Sequence, residues 1–119
     1  MRRDVHLAVV QPPAVGPTVS HDVMRDSALS LLNRAGDAGA DIICLPEGTT
    51  KHGIKKSYVD LAEPLPGPTT RLLGEAARKH NTYIVAGVYE KAGDIVYNTS
   101  VLIDRDGKLA GKYRKFYLP

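Results

Sequence analysis

The sequence predicts an α/β fold built on one mixed sheet, with its first strands parallel and its last strands antiparallel. Two observations carry this prediction. In the first 80 residues, short apolar runs bounded by Pro and Gly alternate with apolar residues at helical spacing. After residue 80, strand-like runs are separated by turns of only a few residues, and links this short allow only antiparallel hairpins.

The composition is that of one globular domain: 119 residues, of which 43% are hydrophobic and 24% charged. The formal net charge of +3 is too small to require nucleic acid or a membrane surface as a partner. No apolar run reaches the roughly 18 residues of a membrane span, and the N-terminus lacks a secretory pattern. The single cysteine excludes an internal disulfide framework and fits a reducing compartment, so a cytoplasmic protein is expected.

Two parallel strands are predicted in the first 45 residues. Residues 5–10 are apolar on both strand faces apart from His6, so we expect a strand covered on both sides, with His6 as a hydrogen-bonded core residue. Residues 41–45 are predicted as the second strand, which is apolar after Asp41, and Glu47 follows it directly after Pro46. Ligands in open α/β sheets bind outside the carboxyl ends of parallel strands, so Glu47 stands where a site is expected. A solvated loop glutamate is the simpler alternative.

An amphipathic helix is predicted between these two strands. Ser20 or Thr18 is expected to cap its start, and Gly36 or Gly39 to end it. Its apolar stripe comprises Met24, Ala28, Leu31, Leu32 and Ala35.

The middle of the chain is predicted as a long loop followed by a second helix. Residues 48–68 lack a clear period and are expected to contain at most one short helix, around residues 55–61. Loops of this length in compact domains are commonly functional. The second helix is expected to have Thr69 or Thr70 as its N-cap and Asn81 as its stop. Its buried side comprises Leu72, Leu73, Ala76 and Ala77.

Three further strands are predicted at residues 83–89, 95–103 and 109–115. Gly87 lies inside the first of them, where a missing side chain permits the close approach of another backbone. Turns rich in Gly and Asp connect the three strands as successive hairpins.

Other kinds of site find little support in the sequence. It contains no glycine-rich phosphate-binding pattern and no Gly-x-Ser-x-Gly elbow. The basic cluster at residues 108–115 could contact RNA, but a solvated strand end is the favoured interpretation. Four histidines are too dispersed to show metal-ligand spacing: His6, His21, His52 and His80.

Three lysines stand in the long loop, where they could attract an anionic substrate. Lysines in loops are more often merely solvated, so both interpretations stay open. The three are Lys51, Lys55 and Lys56.

Three segments in register carry a resemblance to a known family. The first is LPE at residues 45–47. The second begins with AEPLPGP at 62–68 and continues through the following helix to YIVAGVYE at 83–90. The third comprises VYNT at 96–99, GKYRK at 111–115 and a closing LP at 118–119. Taken together they resemble the nitrilase superfamily of carbon–nitrogen hydrolases, and the order and spacing agree across essentially all 119 residues.

The resemblance implies a Glu-Lys-Cys triad that hydrolyses amides, carbamoyl groups or nitriles with no cofactor and no metal. By position, Glu47 matches the general base and Lys115 the cationic member. The chemistry suits both types of residue. A poorly electrophilic carbon needs a thiol that is deprotonated as it attacks, and the anion that forms needs a fixed positive donor in a dry pocket. Without the resemblance, Lys115 would be interpreted as a solvated lysine.

Strand alternation separates the charges near the end of the chain. It places Lys115 on the face of Tyr113 and leaves Lys112 and Arg114 on the other face, so Arg114 is a structural or ion-pair candidate. Glu63 and Glu90 match glutamates that are common in the family and are assigned no catalytic role.

The third member of the triad is not accounted for. The only cysteine, Cys44, lies three residues before Glu47, and alternation places it on the opposite face as a buried structural thiol. The resemblance places the nucleophile on a later strand-to-helix elbow, beyond Pro119. The resemblance therefore implies that residues 1–119 are the N-terminal part of a single carbon–nitrogen hydrolase domain, about half of an αββα sandwich with helices on one face of its mixed sheet.

These expectations extend to partners and activity. The expected partners are a small-molecule amide, carbamoyl or nitrile substrate, and either further copies in a homo-oligomer or a complementing C-terminal half. No nucleic acid and no membrane are expected. The 119-residue chain alone is expected to be inactive. The alternative is a non-catalytic scaffold or oligomerisation module of the same fold.

Overall fold

The computed structural model describes residues 2–14, 16–51 and 53–117, and the elements below are those of the described residues. In chain order they are β1 (Leu7–Val9), α1 (His21–Asp37), β2 (Ile42–Cys44), α2 (Tyr58–Leu61), α3 (Pro68–His80), β3 (Tyr83–Ala92), β4 (Ile95–Ile103) and β5 (Leu109–Arg114).

The five strands form one sheet in the order β1-β2-β3-β4-β5. Val9 of β1 pairs in parallel with Cys44 of β2, and Cys44 pairs in parallel with Val85 of β3. β3, β4 and β5 follow one another as antiparallel hairpins. The predicted mixed sheet is therefore confirmed, because the helical crossovers impose parallel pairing early and the short turns impose antiparallel pairing late.

One face of the sheet carries the hydrophobic core, and the helices cover it. Leu32 of α1 and Ala77 of α3 are fully buried in the same cluster as Ile43, Ile84 and Ile103 of the sheet. The predicted placement of the helices on one face is thus confirmed. Within the described ranges, no helix combines the length and the apolar character that a membrane span requires.

The other face of the sheet is uncovered at β1. Val5, Leu7 and Val9 are 58%, 61% and 75% exposed, whereas Ile43 in the neighbouring strand is fully buried under the helices. The prediction that residues 5–10 are covered on both sides is therefore wrong for this chain, since the described residues supply only one helical layer. His6 is also exposed rather than part of the core.

The ends of α1 follow from local chemistry. Ser20 is the N-cap, and its hydroxyl accepts a hydrogen bond from the backbone N–H of Val23 at 3.2 Å. The helix continues through Gly36, where the ring of His80 lies so close that a Cβ would clash. It ends just before Gly39, which has a φ of +83°. Of the alternatives in the sequence, Ser20 and Gly39 are confirmed.

The start of α3 differs from the prediction, and its end confirms it. Gly67 is the N-cap, and its backbone N–H donates to the hydroxyl of Thr70 at 2.8 Å. Thr69 instead bonds the carboxylate of Glu63, through both its backbone N–H and its hydroxyl. Thr69 and Thr70 therefore both stabilise the helix start from inside the first turn. Asn81 ends the helix with a left-handed φ of 51°.

Candidate active site

Glu47 lies in the turn that follows β2, at the carboxyl end of the parallel strands. This turn crosses over Gly87 of β3. The Gly87 N–H donates to the Pro46 carbonyl at 3.2 Å, and the Thr49 N–H donates to the Gly87 carbonyl at 3.1 Å. A Cβ on Gly87 would stand 2.5 Å from the Glu47 Cα. The missing side chain at Gly87 is what lets this backbone approach, as the sequence predicted.

Lys115 follows β5 directly and reaches the same place from the opposite end of the chain. Its backbone N–H donates to the carbonyl of Asn98 at 2.8 Å, which continues the pairing of β5 with β4. Its ammonium Nζ donates to Glu47 Oε2 at 3.0 Å. The other carboxylate oxygen, Oε1, accepts a hydrogen bond from Asn98 Nδ2 at 2.9 Å. Two residues 68 positions apart in sequence thus form a hydrogen-bonded ion pair.

These contacts keep Glu47 ionised. The hydrogen bond from Lys115, with a smaller contribution from Asn98, lowers the pKa of the Glu47 carboxyl. The side chains of Glu47 and Lys115 are 58% and 41% exposed, so solvent screens the pair. The dry pocket that the chemistry favours is therefore absent from the described residues, where the pair is open to water.

A cleft of about 240 Å³ contains this pair, and the described residues on its wall come from β3, β4, β5 and the turns. Cys44 is not among them, and it is half-buried in β2. The predicted buried structural thiol is thus only half-buried, because the sheet face opposite the helices is uncovered. The residues that line the cleft are Leu45, Glu47, Gly87, Asn98, Thr99, Ser100, Tyr113 and Lys115.

A second cleft of about 340 Å³ also borders Glu47. The described residues that line it are Glu47, Gly48, Lys51 and Tyr89. Glu47 is therefore shared by two clefts, one with Lys115 and one with Lys51.

Behind the site, Glu90 anchors β5 through an ion cluster on the helix side of the sheet. Glu90 is 2% exposed, and it accepts hydrogen bonds from Thr99 Oγ1 at 2.9 Å and from Arg114 Nη2 at 2.9 Å. Lys112 Nζ also bonds it. The hydrogen bond from Arg114 is the largest of several causes that lower the pKa of Glu90 to about 2. The predicted separation of Lys112 and Arg114 from Lys115 is confirmed.

Sequence reasoning assigned no role to Asn98, although it lies in one of the quoted segments. Its role depends on the register that brings it opposite Tyr89, next to the Glu47 turn. His52, Leu118 and Pro119 lie outside the described residues. Among residues 2–14, 16–51 and 53–117, no three His, Cys, Asp or Glu side chains form a cluster that could hold a metal ion.

Solved structures share this fold. A carbon-nitrogen hydrolase from Helicobacter pylori G27 superposes with a TM-score of 0.78 at 24% identity, over 97% of this chain and 40% of that one. The NitFhit protein of C. elegans superposes with the same TM-score of 0.78 at 27% identity, over 94% of this chain and 28% of that one. The fold is thus that of the α/β carbon–nitrogen hydrolases.

Sequence comparison gives the same result. Residues 6–119 match the family model for carbon-nitrogen hydrolases, and the chain belongs to that family. Beta-ureidopropionase of Arabidopsis thaliana is 32% identical over 98% of this chain and 32% of its own length. A nitrilase of Pyrococcus abyssi is 38% identical over 76% of this chain and 36% of its own length. The chain thus spans about a third of the length of the curated relatives it matches.

Proposed function

We propose that this chain contributes the general base and the cation to a hydrolase of non-peptide carbon–nitrogen bonds in amides, carbamoyl compounds or nitriles. The observation that supports this is the contact between the Glu47 carboxylate and the Lys115 ammonium in a cleft at the carboxyl end of the parallel strands. The family membership supports the class of reaction.

The chemistry assigns each group one task. A thiol bonds to the substrate carbon while its proton passes to Glu47, which accepts it because it is ionised. Negative charge then develops on the substrate oxygen or nitrogen, and the Lys115 ammonium stabilises it. For an amide, Glu47 returns the proton to the leaving nitrogen as the carbon–nitrogen bond breaks. Water hydrolyses the resulting thioester, and no cofactor takes part in these steps.

The nucleophile is proposed to lie outside these 119 residues. Their single cysteine does not line the cleft that contains Glu47 and Lys115. We propose that residues 1–119 form the N-terminal part of one hydrolase domain, completed by a C-terminal half or by further copies that cover the exposed face at β1. The 119-residue chain alone is then inactive.

The names of the relatives set the range of substrates to test. They include a beta-ureidopropionase, an omega-amidase NIT2 of Bos taurus and a nitrilase. We therefore propose a small-molecule ureido, amide or nitrile substrate for this protein.

Ammonia release from a panel of ω-amides, ureido acids and nitriles tests the proposal. The measurement uses the 119-residue chain and a longer product of the same reading frame. Glu47→Gln and Lys115→Met should each lower kcat by at least about 100-fold. The matched controls Glu75→Gln and Lys91→Met, at exposed positions on α3 and β3, should keep full turnover. Full turnover in Glu47→Gln would reject the proposal.

Turnover by the 119-residue chain alone would reject the proposed location of the nucleophile. A longer product that assembles stably but releases no ammonia from any substrate would favour the alternative, a non-catalytic scaffold of the same fold.

A further inference from the structure

The second cleft beside Glu47 carries a positive charge that the proposed chemistry does not use. Lys51 and Tyr89 form its wall together with Glu47 and Gly48. The proposed reaction uses Glu47 and Lys115, and Lys115 lines the first cleft rather than the second. Because Glu47 lines both clefts, a ligand that reacts at Glu47 also stands next to the second cleft.

Lys51 is held in place by the backbone around it. Its N–H donates to the Gly48 carbonyl at 2.8 Å, and its carbonyl accepts from the Ile54 N–H at 2.9 Å. Thr50 and Ile54 on either side are buried, so this part of the long loop is packed onto the protein. The half-buried Lys51 side chain thus starts from a fixed point at the edge of the cleft.

The Lys51 ammonium has no acidic partner among the described residues. Its one polar contact there is with the Ile54 carbonyl, at the long distance of 3.5 Å. Both oxygens of Glu47 are already bonded, one to Lys115 and one to Asn98. The described residues that line the two clefts therefore carry two positive charges, on Lys51 and Lys115, and one negative charge, on Glu47. This balance favours an anionic ligand group.

Tyr89 adds a hydrogen-bond donor to the same cleft. Its hydroxyl lies against the Glu47 turn, since a Cβ on Gly48 would stand 2.8 Å from it. Its ring packs against Tyr58 with 5.8 Å between the ring centroids. Burial, and then the charge of Glu47, raise the pKa of Tyr89, so the phenol keeps its proton. A neutral phenol and an ammonium together suit a carboxylate.

We propose that the second cleft binds a carboxylate group of the substrate, with Lys51 as its ion-pair partner and the Tyr89 hydroxyl as a hydrogen-bond donor. This inference rests on the proposed function and narrows its substrate class. The protein then selects amides or carbamoyl compounds that carry a carboxylate a few atoms from the scissile bond, and it disfavours uncharged analogues of the same length.

Calorimetric titration with two matched ligands tests the proposal. The ligands are the monoamide of a short dicarboxylic acid and the diamide of the same acid. The unaltered protein should bind the monoamide roughly tenfold more tightly, and this ratio should fall towards one in Lys51→Met. The affinity ratio in the unaltered protein should also fall as the salt concentration is raised, because the ion pair between Lys51 and the ligand carboxylate is partly exposed. Lys51→Arg should keep the preference, since the charge remains.

Lys91→Met is the matched control, because Lys91 is an exposed lysine in β3 that lines neither cleft. It should leave the ratio unchanged. A ratio near one in the unaltered protein, no binding of either ligand, or an equal fall in Lys51→Met and Lys91→Met would each overturn the proposal.

The binding ratio requires no turnover, so it separates this inference from the proposed function. Turnover that depends on Glu47, without any preference for the monoamide, would reject the carboxylate site alone. The opposite outcome is also possible: Lys51→Met abolishes the preference for the monoamide, but Glu47→Gln leaves turnover unchanged. That outcome would reject the catalytic assignment of Glu47 and support the carboxylate site.

Discussion

Replacing Glu90 by glutamine removes the negative charge at the centre of the ion cluster behind the candidate site. The Glu90 carboxylate bonds two cations of β5, Arg114 at 2.9 Å and Lys112, together with the hydroxyl of Thr99. β5 stands at the end of the strand order, and among the described strands it pairs with β4 alone. The cluster therefore adds side-chain contacts to the backbone pairing with β4 that holds β5, and with it the attachment point of Lys115.

The size of the effect follows from the pKa of Glu90. Hydrogen bonds and charges lower that pKa from 4.5 to about 2, which corresponds to about 3 kcal/mol of stabilisation at neutral pH. Because the folded-state pKa lies below the unfolded one, this stabilisation is complete above pH 4.5 and is lost as the pH falls towards 2. Glu90→Gln should therefore cost about 3 kcal/mol at pH 7 but only about 1 kcal/mol at pH 3.

Urea unfolding of the unaltered protein and of Glu90→Gln, at pH 7 and at pH 3, measures both values. Glu75→Gln is the control, because Glu75 is exposed on α3 and should change the free energy of unfolding by less than about 0.5 kcal/mol at either pH. A Glu90→Gln penalty that is equal at the two pH values would refute the electrostatic reasoning and point to a packing effect instead.

Three further predictions concern the site and its supports. Lys115→Met should raise the pKa of Glu47 towards its ordinary value, as followed by carboxyl 13C NMR, while stability changes by less than about 1 kcal/mol because the pair is exposed. An unchanged Glu47 pKa would contradict the contact. Gly87→Ala should lower the free energy of unfolding by about 1–3 kcal/mol, because its Cβ meets the Glu47 backbone. Gly111→Ala has open space and should show no such loss in the same urea titration. Ser20→Ala should cost about 1 kcal/mol in thermal or urea unfolding, since it removes the cap of α1, and an unaltered midpoint would be evidence against that cap.

The helix ends show which features can be predicted from neighbouring residues alone. Ser20 and Asn81 were predictable because a cap needs only the residues of one helical turn. The start of α3 was predicted at Thr69 or Thr70 instead of Gly67. Thr69 is engaged by Glu63, a partner six residues away in the preceding loop, and local reasoning could not foresee that contact.

β1 shows the limit of hydrophobic patterning. Its apolar residues correctly indicate a strand, but apolar character alone does not say which layers are present to cover it. Val9 is exposed because the described residues place helices on the other face only. His6 is also exposed, so its assignment to the core was wrong.

Some residues of the candidate site could be predicted from the sequence, and others could not. Strand ends and alternation, together with the family resemblance, selected Glu47 and Lys115 and separated Arg114 from them. Asn98 was missed because its contact with Glu47 joins residues 51 positions apart and depends on the pairing of β3 with β4. Lys51 was left with two interpretations because sequence does not show whether a loop lysine has a partner.

The sequence by itself determined the order of the elements, the mixed sheet and most of the helix ends, because these depend on turn lengths, side-chain periodicity and hydrogen bonds within a few residues. Only the tertiary structure decided which face of the sheet is covered and that Glu47 meets both Lys115 and Asn98. Such outcomes depend on how the layers pack and how distant strands align, and no short stretch of sequence contains that information.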